Sequence, residues 1–186
     1  MDVLEALRTR RSIGKLGGDV SPQDVRTIVE AALYAPNHKL TEPWRFTVLR
    51  GDARVRLGEA WSKRLAARTH ETDADRDAYL RREAQRPLRA PVLIVVSTRT
   101  SDDAEVALED YAATAAAVQN MLLAAHALGL GAIWRTGAMA YDASVGAFLG
   151  LDPSDRIVAI VYLGRSAMDP PRPRAHDVAT ALRELE

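Results

Sequence analysis

Residues Ala90–Thr98 read APVLIVVST, a continuous apolar, β-branched run bounded by proline and polar residues. It is too short for a helix of ordinary length and suits a strand buried on both faces. Immediately after it, DAEVALEDYAATAAAVQNMLLAAHALG (Asp103–Gly129) predicts one long helix from about Asp103 to Leu128, with Gly129 as its C-cap. Alanine dominates Ala112 to Ala127, and the bulky residues group at Val118, Met121, Leu122 and Leu123. A helix apolar nearly all round calls for burial on every side. A symmetric partner supplies that cover readily, so a homodimer is expected. Further on, GAIWRTG (Gly131–Gly137) reads as a short extended segment and YDASVGAFLG (Tyr141–Gly150) as a short helix. RIVAIVYLG (Arg156–Gly164) reads as another buried strand, and the tail RSAMDPPRPRAHDVATALRELE as a proline-stiffened stretch ending in an amphipathic helix.

On the N-terminal side, Val3, Leu4 and Leu7 recur at helical spacing behind an Asp2 cap. A second helix starts at SPQD, with Ser21 as cap, Pro22 in the first turn and Asp24 completing a capping box. Its apolar face is Val25, Ile28, Val29 and Ala32. RFTVL follows as a strand ended by Gly51. Asp52 to Arg86 is helical and highly charged, interrupted at THETD and closed by Pro87, which reads as a mobile, solvated excursion. No regular strand–helix–strand rhythm appears, so the expected architecture is α+β with a mainly antiparallel central sheet flanked by helices. With neither repeat nor linker, residues 1–186 are expected to form one domain.

Composition excludes several classes of function. Arg and Lys number 25 against 25 Asp and Glu, so the basic excess of a general nucleic-acid binder is missing. There is no cysteine, which removes disulfides, thiolate metal sites and cysteine nucleophiles together. The N-terminus opens on an acidic residue with no apolar segment behind a basic start, so no secretory signal is expected and a cytoplasmic location is. Tyr111–Leu128 carries Thr114, Gln119, Asn120 and His126, unlike a membrane span. His70, His126 and His176 show no ligand spacing, so no metal site is expected.

Four segments can carry chemistry. TRRSIGK (Thr9–Lys15) gathers Arg10, Arg11, Ser12 and Lys15 in one turn, either as a phosphate site or as a basic helix end. YAPNHKLTEPWRF (Tyr34–Phe46) is long for a connection. Its His38 and Lys39 suit an anion or a ring edge, while Trp44 suits a core anchor. Trp134, Arg135 and Thr136 follow an extended step before Gly137, where a turn can face a ligand or a tryptophan can sit in the core. PPRPR (Pro170–Arg174) offers two arginines on a stiff backbone. No Walker, nucleophile-elbow or dinucleotide glycine motif is present.

Taken in order, RRSIGKL, the AP…PWRF loop, QNMLLAAHALGLGAIW and IVAIVYLG with a basic proline-rich tail resemble the FMN-dependent nitroreductase family over nearly the whole chain. The resemblance is nearest to a short-chain subgroup with HK in the loop and WR(S/T)G after the long helix. It implies an intertwined homodimer with FMN at the subunit interface. It places phosphate and ribityl on Arg10, Arg11 and Ser12, and flavin contacts on Trp134, Arg135 and Thr136. His38 then reaches the flavin held mainly by the other subunit, and Arg174, or failing it Arg172, joins the phosphate. NADPH or NADH is the implied hydride donor, and a nitroaromatic, quinone or similar flat molecule the acceptor, in ping-pong order. No catalytic acid or base is assigned, because the flavin carries the redox chemistry. Gly14, Tyr34, Leu40 and Glu42 depart from the family pattern. A flavin-storage protein, or a dehalogenase or flavin-destructase type of reaction on the same fold, is the alternative.

Overall fold

The structure, a computed structural model, describes residues 1–68, 74–172 and 176–185. Its elements in chain order are α1 (Val3–Thr9), β1 (Leu16–Gly17), α2 (Pro22–Leu33), β2 (Trp44–Leu49), α3 (Asp52–Ala66), α4 (Ala74–Ala84), β3 (Val92–Thr98), α5 (Ala104–Ala127), β4 (Gly131–Arg135), α6 (Ala143–Phe148) and β5 (Arg156–Ser166). The expected α+β class holds, and every named strand pairing is antiparallel. β5 is the hub: β3, with β2 beyond it, pairs along one edge, while β4 and then β1 share the other.

The strand alternation divides the core in two. Val92, Ile94, Val96, Ala159, Val161 and Leu163 face α2 and α5. Leu93, Val95, Ile160 and Tyr162 face α3 and α6. Between Val96 and Ser97 the register with β5 slips, leaving Val158 as an extra residue. This bulge keeps Ile157 and Ile160 in the same core although they are three apart.

Helix ends follow the sequence closely. Asp2 accepts from the Leu4 and Glu5 amides, Ser21 from that of Asp24, and Asp103 from those of Glu105 and Val106. At the far end of α5, Gly129 takes φ +71°. The Leu130 amide donates to Ala125 and the Gly129 amide to His126, the paired bonds of a Schellman stop.

Two expectations need correction, that of the Asp52–Arg86 excursion and that of the tail, and two helices show burial that the sequence left open. The Asp52–Arg86 segment is no solvated excursion: α3 buries Leu57 and Trp61 beneath the sheet. Gly58 lets α4 approach, since a Cβ there would stand 2.0 Å from the Ala84 carbonyl oxygen. The interruption at THETD lies outside the described residues, as does His70. On α1 the periodic Val3, Leu4 and Leu7 are exposed and Ala6 is the buried residue. α5 is buried along one stripe, from Ala113 to Ala125, while Leu108 remains 71% exposed. The tail forms a single 3-10 turn, Val178–Thr180, with Val178, Leu182 and Leu185 exposed. A short amphipathic helix draws its stability from packing, and the described tail residues 176–185 are exposed.

Candidate functional site

After α1 the chain runs extended, and its polypeptide is tied to the edge of the sheet. Ser12 forms a parallel bridge with Ala132, and the Ile13 amide donates to the Ala132 carbonyl at 3.1 Å. Gly131 makes this approach possible: a Cβ there would lie 2.7 Å from Leu16 Cδ2 and 3.2 Å from Ile13 Cβ. Beside the junction is a cavity of about 330 Å³, lined by Arg10, Arg11, Ile13, His126, Gly131 and Met168 among others. Arg10 and Arg11 are half-buried, while Ser12 and Lys15 are exposed. Gly14 has open space around it.

His126 was not singled out as a site residue, because a lone histidine near the end of an apolar helix carries no spacing signal. In the structure its Nε2 is 2.8 Å from Thr9 Oγ1, whose own hydrogen goes to the Glu5 carbonyl at 2.8 Å. A hydroxyl has one proton to give, so Thr9 accepts and His126 carries its proton on Nε2. The imidazole is thereby held at the cavity wall. Among the described residues no three His, Cys, Asp or Glu side chains stand close enough to hold a metal.

β4 carries the second set of predicted residues. Its alternation sends Trp134 toward the α5 core and Arg135 to the opposite face. The Trp134 Nε1–H donates to the Val158 carbonyl at 3.1 Å, which the β5 bulge leaves outside the regular ladder. Arg135 lies over Tyr162, with its guanidinium carbon 5.5 Å from the ring centroid. Thr136 is exposed just past the strand.

The loop before β2 is the most strained segment described. Lys39, Leu40 and Glu42 all take positive φ, near +53°, +53° and +43°. Non-glycine residues hold such angles only where their surroundings fix them. Here Asn37 Oδ1 accepts the Glu42 amide at 3.0 Å, and Thr41 Oγ1 donates to buried Asp110 at 2.6 Å. Arg99 Nη2 donates to the Thr41 carbonyl at 3.1 Å. Asn37, Thr41 and Arg99 therefore hold the loop along with Pro43, whereas Pro36 is exposed. Trp44 is a core anchor as expected, 4% exposed. His38 is half-exposed with Nδ1 3.3 Å from Glu109 Oε2. Tyr34, Leu40 and Glu42, three of the departures from the family pattern, are all exposed.

Thus Arg10, Arg11 and Ser12 stand beside one end of β4, and Trp134 to Thr136 beside and beyond the other. His38 is elsewhere. It meets α5 at Glu109, whereas Thr9 meets α5 at His126, about 25 Å away along an axis rising roughly 1.5 Å per residue. Arg172 is exposed, and Arg174 lies outside the described residues.

The sequence profile of the nitroreductase family matches residues 7–165. The chain belongs to the nitroreductase family. "Putative NAD(P)H nitroreductase YdjA" of Escherichia coli strain K12 is 32% identical over 166 residues, 88% of each chain. "Putative NAD(P)H nitroreductase YfhC" of Bacillus subtilis strain 168 is 31% identical over 163 residues, 86% of this chain and 82% of that one. Among solved structures, a nitroreductase-like family protein from Bacillus cereus superimposes with a TM-score of 0.88 at 27% identity, covering 100% of this chain and 97% of that one. A Desulfovibrio desulfuricans nitroreductase homologue in complex with FMN gives 0.72 at 33% identity, covering 99% and 97%. This protein therefore has the nitroreductase-like fold and is an oxidoreductase of that family. No helix among the described residues is long and apolar enough to cross a membrane.

Proposed function

We propose that the chain is a single-domain, FMN-dependent NAD(P)H oxidoreductase of the short-chain HK…PW, WR(S/T)G subgroup. The observation that carries this reading is the cavity beside β4, where Arg10 and Arg11 meet the Gly131–Ala132 backbone. The residues present fit FMN. Two guanidinium groups suit a phosphate dianion, and the Gly131–Ala132 backbone forms part of the same wall. Arg10, Arg11 and Ser12 would hold phosphate and ribityl, with Arg174 joining them. On the family resemblance Trp134, Arg135 and Thr136 would contact the ring system, although Trp134 and Arg135 point to opposite faces of the sheet within the protomer. FMN, when bound, supplies the two-electron hydride chemistry, so the chain needs no nucleophile of its own. Its residues bind, orient and shield. NADPH or NADH and a flat acceptor, such as a nitroaromatic or quinone, occupy one site in turn.

The same reading makes the protein a homodimer. The protomer leaves Met1, Val3, Leu4 and Leu7 of the N-terminal segment exposed, with Leu108 and Leu128 on and after α5. A two-fold pairing of antiparallel α5 helices covers this surface. It also carries His38 of each subunit from its remote end of α5 toward the partner's Arg10 cavity, which supports a shared site.

The deciding experiment is the absorbance spectrum of the purified protein, followed by anaerobic addition of NADH or NADPH. A yellow protein bleached by either is expected. A colourless protein that takes up no added FMN overturns the reading, and a flavin spectrum that neither donor moves turns it into storage. Arg10→Ala is expected to weaken FMN binding about tenfold or more by fluorescence titration, from the loss of a charge-assisted bond. Unchanged affinity excludes Arg10 from the phosphate site.

A further inference from the structure

At the far end of β4, on the face of the sheet turned away from α5, is a second cavity of about 290 Å³. Its walls include Arg86 and Arg89 from the 3-10 turn Arg86–Arg89, together with Arg135, Thr136, Met139 and Tyr162. Nothing in the sequence singled out Arg86 or Arg89; the fold brings them to the end of β4 at Arg135 across β3 and α5.

The charges here are unbalanced. Among the described residues no carboxylate lines the cavity. Glu83 pairs with Arg86 at 2.8 Å, and its other oxygen accepts the buried Trp61 Nε1–H at 3.1 Å. Among the described residues neither Arg89 nor Arg135 has a carboxylate partner. The Nε–H groups of Arg86 and Arg135 are buried without a hydrogen-bond acceptor. Burial pushes the Tyr162 phenol above its usual range, although Arg135, Arg89 and Arg86 pull it down. At neutral pH the phenol therefore keeps its proton. The walls present guanidinium forks and two hydroxyls. Arg86 has Glu83 as its counter-ion, which leaves Arg89 and Arg135 as two guanidinium groups brought together without one, and forked N–H donors match a carboxylate or phosphate edge.

We propose that the cavity formed by Arg86, Arg89, Arg135 and Thr136 binds an oxyanion, the carboxylate or phosphate group of a substrate of the proposed oxidoreductase. The volume admits such a group. Which molecule brings the anion rests on the proposed oxidoreductase function; anion binding itself does not. The source is either an acidic aromatic acceptor or the phosphate of the nicotinamide donor.

Arg89 is exposed and outside both cores, so Arg89→Gln tests the cavity without undermining the fold. Inorganic phosphate is expected to raise the melting temperature of the purified wild-type protein above that in chloride of equal ionic strength, and Arg89→Gln to remove most of the difference. This arm needs neither FMN nor turnover, so it stands even if the redox reading fails. In the kinetic arms, Arg89→Gln is expected to raise the KM ratio of 4-nitrobenzoate to 4-nitrobenzamide about tenfold if the acceptor is the source. If the donor is the source, the ratio of NADPH to NADH rises instead. A phosphate effect equal in wild type and Arg89→Gln, or absent from both, overturns the proposal.

Discussion

On the α3–α4 face of the sheet, buried carboxylates close the packing within the chain; on the α5 face, small apolar side chains pack one stripe of the helix and leave Leu108 and other residues near the helix start exposed. Glu83 fixes Trp61 to Arg86, and Asp142 gathers Arg64, Arg68 and Ser144. These contacts tie α3 to α4 and to the start of α6, so a helical segment with few apolar residues still forms a complete layer. Across the sheet, Ala113, Ala117, Val118, Met121 and Ala125 seal the inner stripe of α5, and among the described residues nothing covers Leu108. The first face is finished by charge inside one protomer. The second is finished, on the dimer reading, only by another copy.

The largest effect is expected on the bare face. Leu108→Glu should turn a dimer into a monomer by light scattering while leaving the protomer folded by circular dichroism. A wild-type protein that is already monomeric at micromolar concentration breaks the contrast. On the finished face, Glu83→Ala strands the Trp61 indole N–H and one guanidinium. It is expected to cost about 3 kcal/mol in urea unfolding, somewhat less than a wholly buried pair because Arg86 reaches solvent. A loss below about 1 kcal/mol would show that α3 and α4 rest on apolar contacts alone. Gly58→Ala forces α3 and α4 apart and is expected to cost about 2 kcal/mol by the same measurement.

The smallest effect is the one that depends on pH. Burial raises the pKa of Asp142, but the Ser144 side-chain and backbone hydrogen bonds, with Arg68 and Arg64, outweigh it and hold the carboxyl below its usual 3.8. A carboxyl depressed in the folded state contributes stability that is in place above the unfolded value and is lost as pH falls through the folded one. Asp142→Asn should therefore flatten the decline in stability below about pH 4 and cost roughly 1 kcal/mol at neutral pH. An acid limb of unchanged slope would remove Asp142 from the account.

Much of this was legible from local patterns. Ser21, Asp103 and Gly129 announce helix ends because capping is a matter of neighbouring residues. APVLIVVST and RIVAIVYLG announce central strands because burial on both faces excludes polar side chains. The arginine pair after α1 was legible too, although not its choice between phosphate site and helix end. Three things were not. The charged segment from Asp52 hides a layer whose cohesion rests on Glu83, a residue that reads as solvent-facing in any linear scan. His126 has no sequence signal, because its role comes from Thr9, far away in the chain. The strain in the loop at Lys39, Leu40 and Glu42 is invisible without the contacts that hold it.

The sequence by itself determined the strands, the long alanine-rich helix, their caps, the α+β class and, through an ordered set of short motifs, the family. Those features depend on residues near one another in the chain, where periodicity and capping chemistry act. Only the tertiary structure decided which cations meet. It set Arg10 and Arg11 against Gly131, turned Arg135 away from Trp134 toward Arg86 and Arg89, and held His38 at the far end of α5. Strand alternation, a β-bulge and a glycine that admits close approach made those choices, and each acts between segments that the sequence keeps apart.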